Sequence, residues 1–368
     1  MVQLSYSERE REVSTSRLDG LLEQLQDRKA RTSVATVALD TMVVHPEDGG
    51  LRIRKRNGDK AGALLNYHSF GQLYRSVCPD GSRTARQTPP ELIAPVINYH
   101  LTHGAKADGK DAKLILGRMP GSDTYVTRAV VGPTYGLIHD ADVLQALLQA
   151  IDQVGNGWVC PEASHFGPRG QRRFLQAHIC DSGMTVHLID ASHPIEFRRP
   201  DGQVDVLYRA IQVRNSEVGT RGLMVRFVLV RYDCANLEIV NVLGEHKVYL
   251  RHTSGAPDRF MLKTVPAIER FAALPPHQVN EYLTRMYEMK LADTAEGARA
   301  LLTRKGFSGK LADLIVARAE ADRHTVGGSP YSAWGLLNAA SANARDKDYI
   351  DDTIDAADVA GKVFSSFM

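Results

Sequence analysis

The chain has 368 residues, 43% of them hydrophobic and 24% charged, with a formal net charge of +2. That length predicts about two domains and a core large enough to stand without disulfides or metals. No stretch reaches the roughly 18 apolar residues of a membrane helix, and the strongest apolar run, Leu223 to Val230, is broken by Arg226.

Ser7 followed by Glu8, Glu10 and Glu12 reads as a capped first turn, and Leu18, Leu21, Leu22 and Leu25 recur at helical spacing. An amphipathic helix is predicted over 8–29. The first residues lack a basic stretch followed by an apolar one, so nothing directs export and a cytoplasmic location is expected. Val34 to Val44 reads as strand, and Leu51 to Tyr67 as strand, turn and strand about Asn57-Gly58. Residues 79–90 are rich in Pro, Gly, Ser and Arg and read as an exposed loop. Strands are expected at 113–119 and 124–131. A helix capped by Asp140 should run to Val154, burying Val143, Leu144, Leu147, Leu148 and Ile151.

A second strand-rich block follows. Arg173–Cys180 and Met184–Ile189 are joined by Asp181-Ser182-Gly183, a hairpin signal. Further strands are expected at Val204–Val213, Leu223–Tyr232, Leu237–Leu243 and Lys247–His252. From Pro266 the pattern turns helical, at about 267–273, 276–291, 294–305, 309–323 and 330–343. The fold class expected is α+β. A β-rich, mixed or antiparallel body with flanking helices spans 1–265, with a sub-boundary near 155. A helical domain spans 266–345, and 346–368 forms an acidic tail with an aromatic tip. The four cysteines, Cys78, Cys160, Cys180 and Cys234, are widely spaced and form no Cys-x-x-Cys pair, as for reduced residues.

Complete catalytic motifs are missing. Gly306-Phe307-Ser308-Gly309-Lys310 has the wrong spacing for a phosphate loop, has Leu311 where a hydroxyl is needed, and lies between helices. It reads as a helical corner, and less readily as a DNA-reading one, because Asp313, Glu320 and Asp322 accompany Lys310, Arg318 and Arg323. His178, Cys180, His187 and His193 lack a zinc spacing. No catalytic residue, metal or cofactor is assigned.

Charge distribution says more. Residues 50–86 hold eight bases and two acids, a candidate polyanion surface. Arg52, Arg54 and Arg56 alternate, as side chains on one strand face do. Arginine beside an aromatic recurs on predicted strands, and binders of single strands need such pairs, with cations for phosphates and flat rings for bases. The candidate nucleic-acid contacts are Arg52, Arg54, Lys55, Arg56, Arg169, Arg172, Arg173, Phe174, Arg226, Arg231, Tyr232, Tyr249 and Arg251. In the tail, Asp351, Asp352, Phe364 and Phe367 are candidates for engaging a protein partner. The bland alternatives are a solvated basic face and a last amphipathic helix.

Five segments, in order, carry a resemblance. They are Thr127-Arg128-Ala129 with Tyr135-Gly136-Leu137-Ile138-His139-Asp140, then Val213-Arg214-Asn215-Ser216-Glu217-Val218-Gly219, Arg231-Tyr232-Asp233-Cys234-Ala235-Asn236, Arg251-His252-Thr253, and Trp334-Gly335-Leu336-Leu337-Asn338-Ala339-Ala340-Ser341. Over 127–341 the chain resembles a phage- and plasmid-encoded family whose members mostly have no assigned function, departing from it at Cys234-Ala235-Asn236. In size and character it is similar to the single-stranded-DNA-binding RNA polymerase cofactors of podoviruses that carry a virion RNA polymerase. That likeness implies a non-enzymatic single-stranded DNA-binding protein that recruits a phage RNA polymerase in the host cytoplasm. The alternatives are a nucleic-acid enzyme, such as a metal-dependent nuclease or an annealing recombinase, and a phage factor that binds a host protein.

Overall fold

The computed structural model describes residues 6, 8–9, 13–47, 50–58, 62–78, 82–104, 106–155, 157–162, 176–232, 237–238, 247–344, 356 and 359–361. In chain order the elements are β1 (Val13–Thr15), α1 (Leu18–Ala30), β2 (Thr32–Ala38), β3 (Met42–Glu47), β4 (Gly50–Lys55), β5 (Ala63–Leu65), α2 (Tyr67–Val77), α3 (Ser82–Ala85), α4 (Pro90–His103), β6 (Asp111–Arg118), β7 (Tyr125–Val131) and α5 (Asp140–Val154). Then come β8 (Trp158–Val159), β9 (Ala177–Cys180), β10 (Gly183–Asp190), β11 (Ile195–Arg198), β12 (Val204–Asn215), β13 (Leu223–Arg231), β14 (Leu237–Glu238) and β15 (Lys247–Leu250). Helices close the chain: α6 (Ala256–Ala272), α7 (Pro276–Glu288), α8 (Ala295–Arg304), α9 (Gly309–Ala321), α10 (Arg323–Val326) and α11 (Ala333–Ala344). The fold is α+β, with two antiparallel or mixed sheets and several helices.

The first helix begins at Leu18, ten residues later than the sequence pattern predicts. Val13-Ser14-Thr15 pairs instead with β9, Val13 opposite Ile179, and its β-branched residues suit that strand. The strand expected over 34–44 is two strands parted by a 3-10 turn at Leu39–Thr41. Pro266 lies inside α6, which starts at Ala256 with Pro257 in its first turn. There a missing N–H removes no helical bond. Two helices escape the sequence pattern. In α2 the Asn66 side chain accepts from the Ser69 N–H at 2.9 Å while Ser69 Oγ accepts from the Asn66 N–H at 3.0 Å, a capping box. In α4, Pro90 opens the helix and Ile93, Ile97 and Leu101 are buried.

The smaller sheet has the strand order β2-β6-β7-β5-β4-β3, so β2 and β3 are its two edges. Laid flat, five strand intervals would separate those edges by about 24 Å. Ala38 and Met42 are only four residues apart, a span of at most about 14 Å. The sheet must therefore curl until its first and last strands approach at the turn. One face of it carries Leu51, Ile53, Leu65, Leu114 and Val130, packed in one core with Phe70 and Leu73 of α2 and Ile93 and Ile97 of α4.

The larger sheet runs β1-β9-β10-β12-β13-β14, with β8 on β10, β11 on β12 and β15 on β13. Its apolar face, including Val186, Leu188, Ile211, Val213, Val225 and Phe227, shares one core with α1, α5 and the C-terminal helices.

Candidate nucleic-acid interface

Alternation along β4 turns Leu51 and Ile53 into the core and leaves Arg52 and Arg54 on the opposite face. Antiparallel pairing sets His45 opposite Arg52 and Val43 opposite Arg54. Arg52 is tied: its guanidinium bonds both oxygens of Glu47 and donates to the Gly62 carbonyl at 2.7 Å. That bond holds the Glu47 carboxyl below the usual carboxylate range. Arg54 is less constrained, its Nε buried without a hydrogen-bond partner. Burial, and then the Arg54 charge, hold the His45 imidazole below its ordinary value, so it adds no second cation. Lys55, the last residue of β4, and Arg56 just past it are exposed, and Arg56 Nη2 donates to Thr102 Oγ1 on α4 at 2.6 Å. Gly62 lets the chain pass over this hairpin: a Cβ there would stand 2.6 Å from the Ile53 carbonyl oxygen and 2.9 Å from Arg54 Cβ.

One cross-strand row links this hairpin to the far edge of the sheet. His45 is opposite Arg52, Arg52 opposite Leu64, Leu64 beside Val126, Val126 opposite Gly117, and Gly117 opposite Thr32. Residues so paired share one face, so the row crosses all six strands, a path of about 24 Å along the curved sheet.

At its Thr32 end the row enters a cleft of about 470 Å³, lined by Thr32, Gly117 and Val126 together with Arg28, Arg31, Arg118, Arg128, Asp27 and Asp181. α1 delivers Arg28 and Arg31 in its last turn and just beyond it, and β6 and β7 deliver Arg118 and Arg128. Gly117 makes room for the Arg128 stem, since a Cβ would lie 2.9 Å from Arg128 Cδ. Arg31 donates to the Arg118 carbonyl at 2.9 Å and to Asp27 at 2.6 Å. The Arg118 side chain is 52% exposed and only loosely engaged, 4.0 Å from Asp123.

Beneath the cleft lies a buried polar seam between the two sheets. Arg128 Nη1 donates to Glu217 Oε2 at 2.6 Å, and Arg28 Nη2 to Asp140 Oδ2 at 2.5 Å. The Asp140 N–H donates to Glu217 Oε1 at 2.9 Å, and Asn215 Nδ2 to Asp140 Oδ1 at 2.7 Å. Burial alone would raise the Glu217 carboxyl. The His139 imidazole, 3.5 Å away, and the Arg128 and Arg28 charges outweigh it and hold Glu217 well below the carboxylate range. Burial and the neighbouring Glu217 charge push Asp140 up to about 6. Tyr135 donates to the Ser216 carbonyl at 3.0 Å and stacks on His252 with ring centroids 5.1 Å apart. Three of the five resembling segments thus meet in this seam.

The other expected contacts that the structure describes lie on or beside the larger sheet. Arg231 is a correction: it is 1% exposed, ion-paired to Asp205 at 2.7 Å, and donates to Asn338 Oδ1 at 3.2 Å with its guanidinium 5.9 Å from the Trp334 ring. A guanidinium so enclosed serves the core, and no phosphate reaches it. Arg226 is likewise buried, opposite Gln212 on the polar face of the larger sheet. Tyr249 is 50% exposed, Tyr232 is 36% exposed and faces Tyr208 at 6.4 Å, and Arg251 is exposed. Arg169, Arg172, Arg173, Phe174, Asp351, Asp352, Phe364 and Phe367 lie outside the described residues. The cleft arginines were missed by the sequence pattern. Their signal was a charged residue, Arg128, inside an apolar strand, and Arg28-Lys29-Ala30-Arg31 directly before β2.

Among the described residues, no three His, Cys, Asp or Glu side chains gather as a metal site. His178 and His187 share a strand face, but His187 bonds Gln212, and His193 lies at Asp190, 2.9 Å away. No described helix is long and apolar enough to cross a membrane. No protein-family model, curated protein or solved structure matches this chain.

Proposed function

We propose that the protein binds single-stranded DNA along the outer face of the six-stranded sheet. The observation that carries this is the unbroken row from Arg52 to Thr32, which places the basic hairpin and the arginine-lined cleft on one face. Cations stand near both ends of the row, and the half-buried Leu64 gives it an apolar step between them, with Val126 buried in the cleft wall. A cleft of about 470 Å³ has the size of a small-molecule pocket, which takes a nucleotide and not a duplex. Arg54, Lys55 and Arg118 are the phosphate contacts, with Arg52 and Arg31 positioned by their acids.

The test is fluorescence anisotropy with labelled single- and double-stranded oligonucleotides of one sequence over a salt series. Tighter single-strand binding with a steep negative salt slope is expected. Absence of binding to either form at low salt overturns the proposal.

A narrower role rests on the resemblance of residues 127–341 and on the acidic, aromatic-tipped tail. In that role the protein is a phage transcription cofactor that works in the host cytoplasm and brings a phage RNA polymerase to melted DNA. Co-purification of the polymerase with the full chain after nuclease treatment, lost when Phe364 and Phe367 are both changed to Ala, is the expected result.

A further inference from the structure

β2 pairs with β6 on one side and, among the described residues, with no strand on the other. Its seven residues, Thr32-Ser33-Val34-Ala35-Thr36-Val37-Ala38, include no charge and no proline. Ser33, Val34 and Thr36 are exposed, Val34 by 48%. Folded proteins ordinarily blunt such an edge with a charge, a proline, a bulge or a covering element. The opposite edge of the same sheet is blunted. Pro46 sits in β3, and the Asn98 side chain takes both the Val44 N–H at 2.7 Å and the Val44 carbonyl at 2.8 Å. Among the described residues, β2 carries no such device.

We infer that β2 pairs antiparallel with β2 of a second copy of this chain. The strand is complementary to itself, as a two-fold interface requires. Centred on Val34, the pairing sets Val34 against its counterpart and each Thr32 against the counterpart of Thr36. Ser33 then meets the counterpart of Ala35. The exposed valine is buried against its own copy between two threonine pairs, a favourable cross-strand combination, with no like charges opposed. Even-numbered residues of both copies fall on the same face. The row that ends at Thr32 therefore continues into the second copy. The pairing stands without any nucleic acid; only the lengthened track rests on the proposed DNA binding.

Light scattering on the eluting protein across a concentration series, without DNA, tests the pairing. Wild type should reach the mass of two chains and Val34→Lys that of one, with unchanged circular dichroism. Directly opposed residues have Cα atoms about 4.5–5.5 Å apart, within disulfide reach. Val34→Cys should thus give a covalent dimer on a non-reducing gel, whereas wild type and Leu92→Cys, exposed on α4, should not. This arm decides the matter if the lysine variant misfolds. A wild type of one-chain mass throughout, leaving the edge for a strand of another protein, overturns the inference. So does a dimer that Val34→Lys leaves intact.

Discussion

Arg128 on β7 and Glu217, just past the end of β12, stand 89 residues apart in sequence and form a 2.6 Å ion pair in which both side chains are almost fully buried. One belongs to the smaller sheet and the other to the larger, so the pair joins them. Removing one partner of such a pair strands the other charge, a loss of about 3–5 kcal/mol. Glu217 also receives the Asp140 N–H at 2.9 Å, so its loss exposes the first turn of α5 as well. Glu217→Ala should therefore lower the urea midpoint by at least as much as Arg128→Ala. The double variant should fall well short of the sum, because each single change has already broken the shared bond. Additive losses would show that the two residues do not act together.

Arg231 separates a structural arginine from a DNA contact. Its guanidinium is enclosed with Asp205, Asn338 and Trp334, and Asp205 also accepts from Tyr287 at 3.2 Å. Arg231→Ala should cost about 3–5 kcal/mol of stability. The folded fraction of that variant should bind single-stranded DNA with wild-type affinity and salt slope. A reduced slope at full folding would return Arg231 to the DNA surface.

The hairpin and the cleft should respond alike if they serve one track. For single strands the slope of log affinity against log salt is about 0.7 per phosphate neutralised. Arg54→Ala and Arg118→Ala should each reduce its magnitude by about that much, and the double variant by about twice as much. Both side chains lie off the cores, so thermal stability should barely change. A slope that responds to Arg54 and is indifferent to Arg118 would confine binding to the hairpin.

Much of this fold was legible where pattern and environment agree. α5 coincides with its expected span, with His139 and not Asp140 at the cap position, because Val143, Leu144, Leu147 and Ile151 form one buried stripe. β13 was legible as an apolar run broken only by Arg226, and β12 as a stretch rich in Val, Leu, Ile and Tyr despite its polar residues. The site was harder to read, since alternation identified Arg52 and Arg54 as neighbours on a face but said nothing of what lies across the sheet. The cleft depends on a pairing order in which β5 joins β7 in parallel and β2 lies at the opposite edge from β3. No local periodicity encodes that order. Arg231 misled for a related reason: an arginine beside a tyrosine looks like a surface pair until Asp205, Asn338 and Trp334, distant in sequence, enclose it. α2 and α4 did carry signals, an Asn66-x-x-Ser69 box and the Ile93, Ile97 and Leu101 spacing, which the basic loop before α4 obscured.

Two buried groups should pull acid stability in opposite directions. Asp140, enclosed by burial and by Glu217, with Arg28, Asn215 and Arg128 partly compensating, titrates at about 6 in the folded chain against an ordinary 3.8. Its folded form binds a proton more tightly than the unfolded chain does. That contribution is complete below the unfolded value and is lost as pH rises through about 6. His187 is pushed the other way, down to about 3, by burial and then by His178, Arg214 and Arg226, against a weaker opposing bond from the Gln176 carbonyl. The unfolded chain protonates first there. Its contribution is full above the ordinary 6.5 and is lost as pH falls towards about 3. Glu217, held low in the fold, contributes in full above the ordinary glutamate value of 4.5 and loses that contribution only as pH falls through it, mostly below this range. From neutral pH down to about 5 the two groups therefore oppose one another, and the lowered His45 and His252 imidazoles should leave a gentle net loss on acidification. Asp140→Asn should remove the gain and steepen the loss on acidification, whereas His187→Gln should remove the largest loss and let stability rise relative to wild type. Urea midpoints of the three proteins across that range provide the measurement. Parallel profiles for wild type and Asp140→Asn would show that Asp140 is already ionised in the folded chain throughout, held so by Arg28.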